Sequence, residues 1–114
     1  MHELALAQSI VEMVAGHAGS SRVQRVTVEV GVLTCVMPDA MRFCFGLAAS
    51  GTVLEGAMLE IREIKAKARC RVCGSTFFQD TLWTACPCGE RDFERISGEE
   101  LRIKEYEVEA GAAA

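Results

Sequence analysis

The hydrophobic positions near the start of the chain recur at three- and four-residue steps and then change to strict alternation. Over residues 4–17 this spacing predicts an amphipathic helix that ends near Gly16 or Gly19. Over 26–30, valines alternate with polar residues, which predicts a half-buried strand ending at Gly31. The apolar positions that define the helix are Leu4, Ala7, Val11, Val14 and Ala18.

The middle and the end of the chain predict a second helix and two more strands. Pro38 suits the first turn of this helix, and Gly51 lies beyond its end. Leu59 and Ile61 alternate with charged residues, and 101–108 alternates with one break, which a β-bulge would explain. The predicted inner face of the second helix carries Phe43, Leu47 and Ala48.

Residues 66–97 have a different character, because they are rich in Cys, Gly and Thr and hold few aliphatic residues. Such a segment cannot build a hydrophobic core of useful size, so another interaction has to stabilise it. We therefore predict an α/β fold, a small mixed sheet with two helices plus an inserted zinc-ribbon-like lobe. The α/β domain comprises 1–65 and 98–114, and the lobe comprises 66–97.

Composition narrows the class of protein. At 114 residues, 50% hydrophobic and 25% charged, the chain is expected to fold, and it is too short for a large multidomain enzyme. A net charge of -4 argues against general binding to polyanions. The start lacks the basic segment of a signal peptide, and the longest uncharged stretch, 43–54, is shorter than the roughly 18 residues of a membrane span. We expect a cytoplasmic protein without a membrane anchor.

Two cysteine pairs in the lobe predict a structural Zn(II) site. Cys70 and Cys73 form the first pair, Cys86 and Cys88 the second, and twelve residues separate the pairs. A closed four-sulfur site has no open position for a substrate, so an enzymatic role is not expected. Only Pro87 separates the second pair, which leaves open whether Cys88, a water or another residue is the fourth ligand.

The remaining cysteines, Cys35 and Cys44, lie in a hydrophobic stretch and are predicted to be small buried residues of the core.

The N-terminal residues form a candidate site for Ni(II) or Cu(II). The bulky His2 is expected to protect Met1 from removal. The Met1 amine, the deprotonated His2 amide and the His2 imidazole can then close adjacent chelate rings in one plane. Glu3 could complete the site, and Asp39 at the start of the second helix is the tertiary candidate. The alternative from the residues alone is a frayed terminus without a metal.

A competing function is a zinc-ribbon module that binds nucleic acid. Basic residues approach the first cysteine pair and aromatic residues follow it, so that bases could stack and phosphates could be neutralised. An alternating basic run is more often the solvated face of a strand, and the chain is acidic overall, so nucleic acid is not the expected partner. The residues concerned are Lys65, Lys67, Arg69, Arg71, Phe77, Phe78 and Trp83.

The whole chain resembles the HypA/HybF family of nickel-incorporation accessory proteins for [NiFe]-hydrogenase maturation. The resemblance rests on the Met1-His2-Glu3-Leu4 start, the Val28-Glu29-Val30-Gly31 and Met41-Arg42-Phe43-Cys44-Phe45 segments, and the two cysteine pairs before a final charged strand. It implies a nickel site centred on His2 with a contribution from Glu3. It also implies a structural zinc held by Cys70, Cys73, Cys86 and Cys88.

The same resemblance implies partners that composition and spacing do not reveal. Family members deliver Ni(II) to the hydrogenase large subunit together with the GTPase HypB, and some serve urease maturation. A homodimer is one possible assembly. The chain departs from the family at Pro87, where members commonly have two residues between the cysteines. This departure concerns the geometry of the zinc site.

Overall fold

The computed structural model describes residues 2–109. In this part of the chain, helices α1 (Glu3–Ala18) and α2 (Pro38–Ala49) accompany six strands, and a short 3-10 turn, Val32–Thr34, follows the first strand. The strands are β1 (Val23–Gly31), β2 (Met58–Ile64), β3 (Lys67–Cys70), β4 (Thr76–Phe78), β5 (Phe93–Ser97) and β6 (Leu101–Val108).

The strands form two three-stranded sheets. In the first, with order β2-β1-β6, β1 runs parallel to β2 and antiparallel to β6. Parallel neighbours need a crossover connection, and the segment that contains α2 provides it. The second sheet, β4-β3-β5, is antiparallel and lies in sequence between β2 and β6. The predicted fold class, a small mixed sheet with two helices and an inserted lobe, is confirmed.

The predicted break in the last strand is a β-bulge. Thr27 pairs with Glu105, whereas the next residue, Val28, pairs with Ile103. Lys104 is therefore the extra residue, and the alternation of apolar positions shifts by one place there.

Helix α1 begins and ends within one residue of the predicted range, and Gly19 follows it with a positive φ of 63°. Ala7, Val11 and Val14 are buried as expected, and Ile10 joins them. Leu4 was predicted on the inner face but is 46% exposed, because the apolar stripe turns away from the core in the first turn.

The predicted inner face of α2 was wrong. Phe43 and Leu47 are 70% and 57% exposed, and Ala48 is half-buried. Two apolar stripes with the same four-residue spacing run along this helix, so spacing alone could not select between them. Packing against α1 and the first sheet buries the other stripe, Met41, Phe45 and Ala49.

The observed orientation of α2 predicts a large loss of stability on truncation of Phe45 and a small one on truncation of Phe43. Phe45→Ala should lower the free energy of unfolding by about 3–5 kcal/mol, since it empties a buried site. Phe43→Ala should change it by less than about 1 kcal/mol, since the ring is exposed. Urea denaturation of the zinc-loaded variants measures both values. Equal losses for the two variants would contradict the observed orientation of α2.

Cys35 was also predicted to be buried, and this was wrong. It is exposed at the end of the 3-10 turn with a left-handed backbone, φ 61°. The turn that leads from β1 into α2 carries it outside the core. Cys44 is half-buried and packs against the core, as predicted.

The two sheets meet at a narrow neck of three residues, Gly31, Ala66 and Gly98. The Gly31 amide donates to the carbonyl of Glu100 at 2.7 Å, and the Leu33 amide donates to that of Gly98 at 2.8 Å. A Cβ on Gly98 would lie 2.6 Å from the Cα and Cβ of Ala66. The backbones touch at this neck, which leaves no room for side chains at the two glycines.

The buried hydrophobic residues fall into two clusters, a larger one on the first sheet and a smaller one on the second. The radius of gyration is 17.7 Å, compared with about 13 Å for a compact domain of this length. The division into 1–65 with 98–114 and 66–97 stays a prediction with which these features are consistent.

Candidate metal centres

The second sheet and its turns position four cysteines. Cys70 is the last residue of β3, and the turn into β4 carries Cys73. The Gly74 amide donates to the Cys70 carbonyl at 3.0 Å, and that of Gly89 donates to the Cys86 carbonyl at 2.8 Å. Both glycines have positive φ, 76° and 94°, which glycine adopts without strain. Each cysteine pair is therefore held in a tight turn.

The four sulfur atoms form one compact group. The Sγ atoms of Cys70 and Cys88 are 3.8 Å apart, those of Cys73 and Cys86 are 3.6 Å apart, and all four lie within 4.8 Å of one another. Zinc–sulfur bonds of about 2.3 Å in a tetrahedron require sulfur atoms about 3.8 Å apart. The group therefore fits a tetrahedral Zn(II) ion, and the single residue Pro87 does not keep Cys88 out of it.

The pKa values of the cysteine thiols differ widely within this group. The side chain and backbone of Ser75, and then the Cys86 thiol, lower the pKa of Cys73 to about 6. At Cys86, the hydrogen bond from the Cys88 backbone lowers the pKa, but burial and the neighbouring thiols outweigh it and raise the pKa to about 12. Four adjacent thiols resist joint ionisation, so the positive charge of a metal is needed to hold them as thiolates.

The hydrophobic cluster of this lobe is small. Its cluster of buried hydrophobic residues consists of Ala68, Cys70, Phe77 and Cys86, against which Phe93 packs. The rings of Phe77 and Phe93 meet edge to face with centroids 5.8 Å apart. Two of the four core residues are members of the cysteine group. Metal binding and folding of the lobe are therefore expected to be coupled.

The residues considered for nucleic-acid binding do not form one stacking surface. Phe77 is buried, whereas Phe78 and Trp83 are exposed. The Nζ of Lys65 lies 5.7 Å from the centre of the Phe78 ring, and Arg71 pairs with Asp92 at 3.2 Å. Internal partners thus engage two of the four basic residues.

The N-terminal candidate site lies at the start of α1. His2 is exposed and precedes the helix, and Glu3 is its first residue. The Glu3 carboxylate accepts a hydrogen bond from the amide of Met37 at 3.3 Å, just before α2 begins. Hydrogen bonds from its own backbone amide and from that of Met37 lower the pKa of Glu3. Met1 lies outside the described residues.

An open cavity of about 550 Å³ adjoins His2 and Glu3, and Asp39 is not part of it. The Asp39 side chain is fully exposed, with a carboxylate oxygen 3.6 Å from Nη1 of Arg42. Within residues 2–109, the four cysteines are the one group in which three or more potential ligands converge. The nickel ligand set therefore stays a prediction. The cavity is lined by His2, Glu3, Leu4, Ala5, Gln8 and Cys44.

Two groups close to His2 and Glu3 were not associated with them from the sequence, the Met37 amide and Cys44. A backbone amide carries no sequence signal, and Cys44 is far from His2 along the chain. The packing of α1 against α2 brings them together, so no spacing rule could have found them.

The fold and the cysteine group define a class, a small α/β protein with a four-cysteine group that could hold a metal ion. A family model described as "Hydrogenase/urease nickel incorporation, metallochaperone, hypA" matches residues 1–108. Hydrogenase maturation factor HypA of Nostoc punctiforme is 50% identical over 109 residues, 96% of each chain. Hydrogenase maturation factor HypA of Geotalea uraniireducens is 44% identical over 110 residues, which is 96% of this chain and 100% of that one. The chain belongs to the HypA family.

Solved structures show the same fold. The solution structure of the Ni metallochaperone HypA from Helicobacter pylori superposes with a TM-score of 0.67 at 23% identity, over 95% of this chain and 97% of that one. Another solution structure of a HypA protein superposes with a TM-score of 0.72 at 23% identity, over 96% of this chain and 98% of that one. At this identity the likeness concerns the fold alone.

Family membership confirms the resemblance found in the sequence. The chain is a metallochaperone of hydrogenase and urease nickel incorporation and not an enzyme, and its partners are hydrogenase-related. Neither helix in residues 2–109 has the length and apolar character needed to cross a membrane.

Proposed function

We propose that this chain binds Ni(II) at its N-terminal segment and delivers it to the large subunit of [NiFe]-hydrogenase. The observation that carries this proposal is the anchoring of Glu3 by the Met37 amide beside the open cavity. The contact holds the first turn of α1 against the start of α2. His2 is thereby kept at the rim of a solvent-accessible cavity.

The chemistry of the segment suits Ni(II). The Met1 amine, the His2 amide nitrogen and the His2 imidazole supply nitrogen donors in one plane, a set that Ni(II) and Cu(II) prefer. The Glu3 carboxylate is the expected additional ligand, with Asp39 as a further candidate that would have to leave Arg42. Because His2 is exposed, nickel can pass to a partner by ligand exchange.

The zinc has a separate role in this proposal. Cys70, Cys73, Cys86 and Cys88 hold Zn(II), which crosslinks the turns of the lobe when bound. The lobe comprises 66–97, and the nickel-binding domain comprises 1–65 and 98–114. A closed thiolate set retains its metal, whereas the N-terminal chelate releases it. In this proposal zinc therefore stabilises the fold of the lobe, and nickel is the ion that is delivered.

We propose that the protein acts in the cytoplasm with a HypB-type GTPase. Family membership supports a hydrogenase-related partner, and the printed family description also includes urease. Urease maturation proteins and a second copy of the chain are further candidate partners.

Removing the His2 imidazole should abolish nickel binding without unfolding the protein. In His2→Ala the chelate loses a nitrogen donor, while α1 keeps its buried face. Isothermal titration of untagged protein with Ni(II), with zinc quantified in the same sample, measures the effect. His17→Ala is the matched control, since His17 is an exposed histidine at the other end of α1.

An extra residue placed before Met1 should have the same effect as His2→Ala, because it moves the terminal amine away from His2. Nickel isotherms that match the wild type for both variants would refute the N-terminal site. The zinc content should stay unchanged in all three variants.

A further inference from the structure

Strand β6 lies at the edge of the first sheet and has one open side. Its neighbour on the other side is β1, and within residues 2–109 no further strand pairs with it. The open side of an edge strand presents unpaired N–H and C=O groups, to which another strand can be added. Many edge strands are short or contain proline, whereas β6 has eight residues and no proline.

The hydrogen bonds to β1 determine which backbone groups of β6 face the open side. The Gly31 amide donates to the carbonyl of Glu100 at 2.7 Å, and the Glu109 amide donates to the carbonyl of Arg22 at 2.8 Å. Glu100 and Glu109 therefore face β1. Successive residues of a strand face opposite sides, and the bulge at Lys104 shifts this alternation once. The residues whose backbone groups face the open side are Leu101, Ile103, Tyr106 and Val108.

These four residues are arranged symmetrically about the bulge. A second, antiparallel copy of β6 can place Tyr106 opposite Ile103 and, at the ends, Val108 opposite Leu101, each in a hydrogen-bonded pair. In a regular strand, residues three positions apart face opposite sides, so Ile103 and Tyr106 could not form such a pair. The extra residue Lys104 brings both to the same side.

We propose that β6 pairs with β6 of a second copy of this chain in that register. The result is a symmetric dimer in which the two three-stranded sheets become one continuous sheet. Because the same surface of both copies forms a two-fold interface, every contact occurs twice. The proposal goes beyond nickel binding and does not depend on where the nickel lies.

Opposite charges meet in this register. Lys104 lies opposite Glu105 of the second copy, and Arg102 lies opposite Glu107. Opposite charges at directly opposed positions stabilise paired strands, whereas like charges destabilise them. Within one chain, both Arg102 and Glu107 already have ionic partners on β1. The second copy joins these pairs into a row of alternating charge, in the order Glu29, Arg102, Glu107 and Arg25.

Apolar side chains meet on the opposite face of the same strand. A groove of about 380 Å³ lies between α1 and the start of β6. Its wall includes Leu101, Ile103 and Met13, whose side chain is 61% exposed. The register brings Tyr106 and Val108 of the second copy to this wall, on the side of the sheet that carries the helices. Pairing therefore covers apolar surface that the single chain leaves exposed.

Two charge reversals and their mixture test this register. Sedimentation equilibrium of the untagged, zinc-loaded full chain should show a monomer–dimer equilibrium. Lys104→Glu places two carboxylates opposite each other in both contacts, and Glu105→Lys places two ammonium groups there. Each variant should raise the dimer dissociation constant at least about tenfold. Both residues are exposed, so the variants should fold like the wild type.

An equimolar mixture of the two variants should dimerise again, because each contact then joins opposite charges. Glu63→Lys is the matched control, since Glu63 is an exposed glutamate on β2 at the other edge of the same sheet. It should leave the equilibrium unchanged. In a mixture of isotope-labelled and unlabelled wild type, filtered NMR spectra should show contacts between Ile103 of one copy and Tyr106 of the other.

Three results would overturn the proposal. The first is a wild type that stays monomeric at millimolar concentration, which would leave this edge to a different protein. The second is a mixture of the reversed variants that stays monomeric while the wild type dimerises. The third is a loss with Glu63→Lys equal to that with Glu105→Lys, which would assign the contact to β2. Nickel titration of Lys104→Glu should match the wild type, and His2→Ala should still dimerise, so failure of either proposal is distinguishable.

Discussion

Cys73→Ala is expected to remove zinc from the protein and to unfold the lobe of residues 66–97. The substitution removes one of four sulfur donors that lie within 4.8 Å of one another. The remaining hydrophobic cluster is too small to replace the metal. Zinc binding contributes about 10–16 kcal/mol in small zinc-stabilised peptides, so its loss exceeds what such a lobe can tolerate. Elemental analysis and amide NMR spectra measure the two effects.

The α/β part should survive this change, because its core is a separate cluster of buried residues. Amide signals from α1 and β1 should keep their dispersion, while those of 66–97 collapse. Removing zinc with a chelator should reproduce the result. Cys35→Ala, which alters an exposed cysteine outside the group, should retain zinc. A full zinc equivalent in Cys73→Ala would show that the four-sulfur site is not what holds the metal.

Gly31→Ala is expected to destabilise the protein by about 4 kcal/mol or more, among the largest effects of a single methyl group. The added Cβ would overlap the carbonyl group of Gly98 and lie 2.5 Å from the amide nitrogen of Glu99. These are backbone atoms, which cannot rotate away. The neck must open, and the hydrogen bonds of Gly31 to Glu100 and of Leu33 to Gly98 are then lost. Urea denaturation measures the loss.

Gly46→Ala is the control, because it is expected to raise the stability that Gly31→Ala lowers. Gly46 lies within α2, and nothing lies within 4 Å of a Cβ built there. Alanine should stabilise the helix by about 0.5–1 kcal/mol, because glycine loses more conformational entropy on folding. If Gly31→Ala is as stable as the wild type, the two backbones at the neck are not in contact.

The element types were accessible from the sequence because they depend on local spacing. The helix near the start, the valine strand and the bulge at Lys104 all have periodic signals in their own residues. The inner face of α2 was not accessible in this way. Phe43 with Leu47 and Met41 with Phe45 have the same spacing, and the choice between them depends on residues of α1 and the sheet.

The two proposed metal sites differ in the same respect. The cysteine pairs are local, and each closes a turn within a few residues, so their spacing predicted the group that the structure contains. The N-terminal segment has no local partner that fixes it. Its anchoring by Met37 and its cavity beside Cys44 depend on how α1 packs against α2.

The sequence by itself determined the family, the mixed α/β fold and the grouping of the four cysteines. The fold and the cysteine group are encoded in spacing along the chain, and the family is indicated by the motifs in which the chain resembles it. The tertiary structure alone decided which stripe of α2 is buried, that Gly31 is needed for close approach at an ordinary φ of -71°, and that the Met37 amide binds the Glu3 carboxylate. The physical reason is common to all three: each depends on which surfaces meet when distant segments pack, and that contact leaves no periodic signal in either segment.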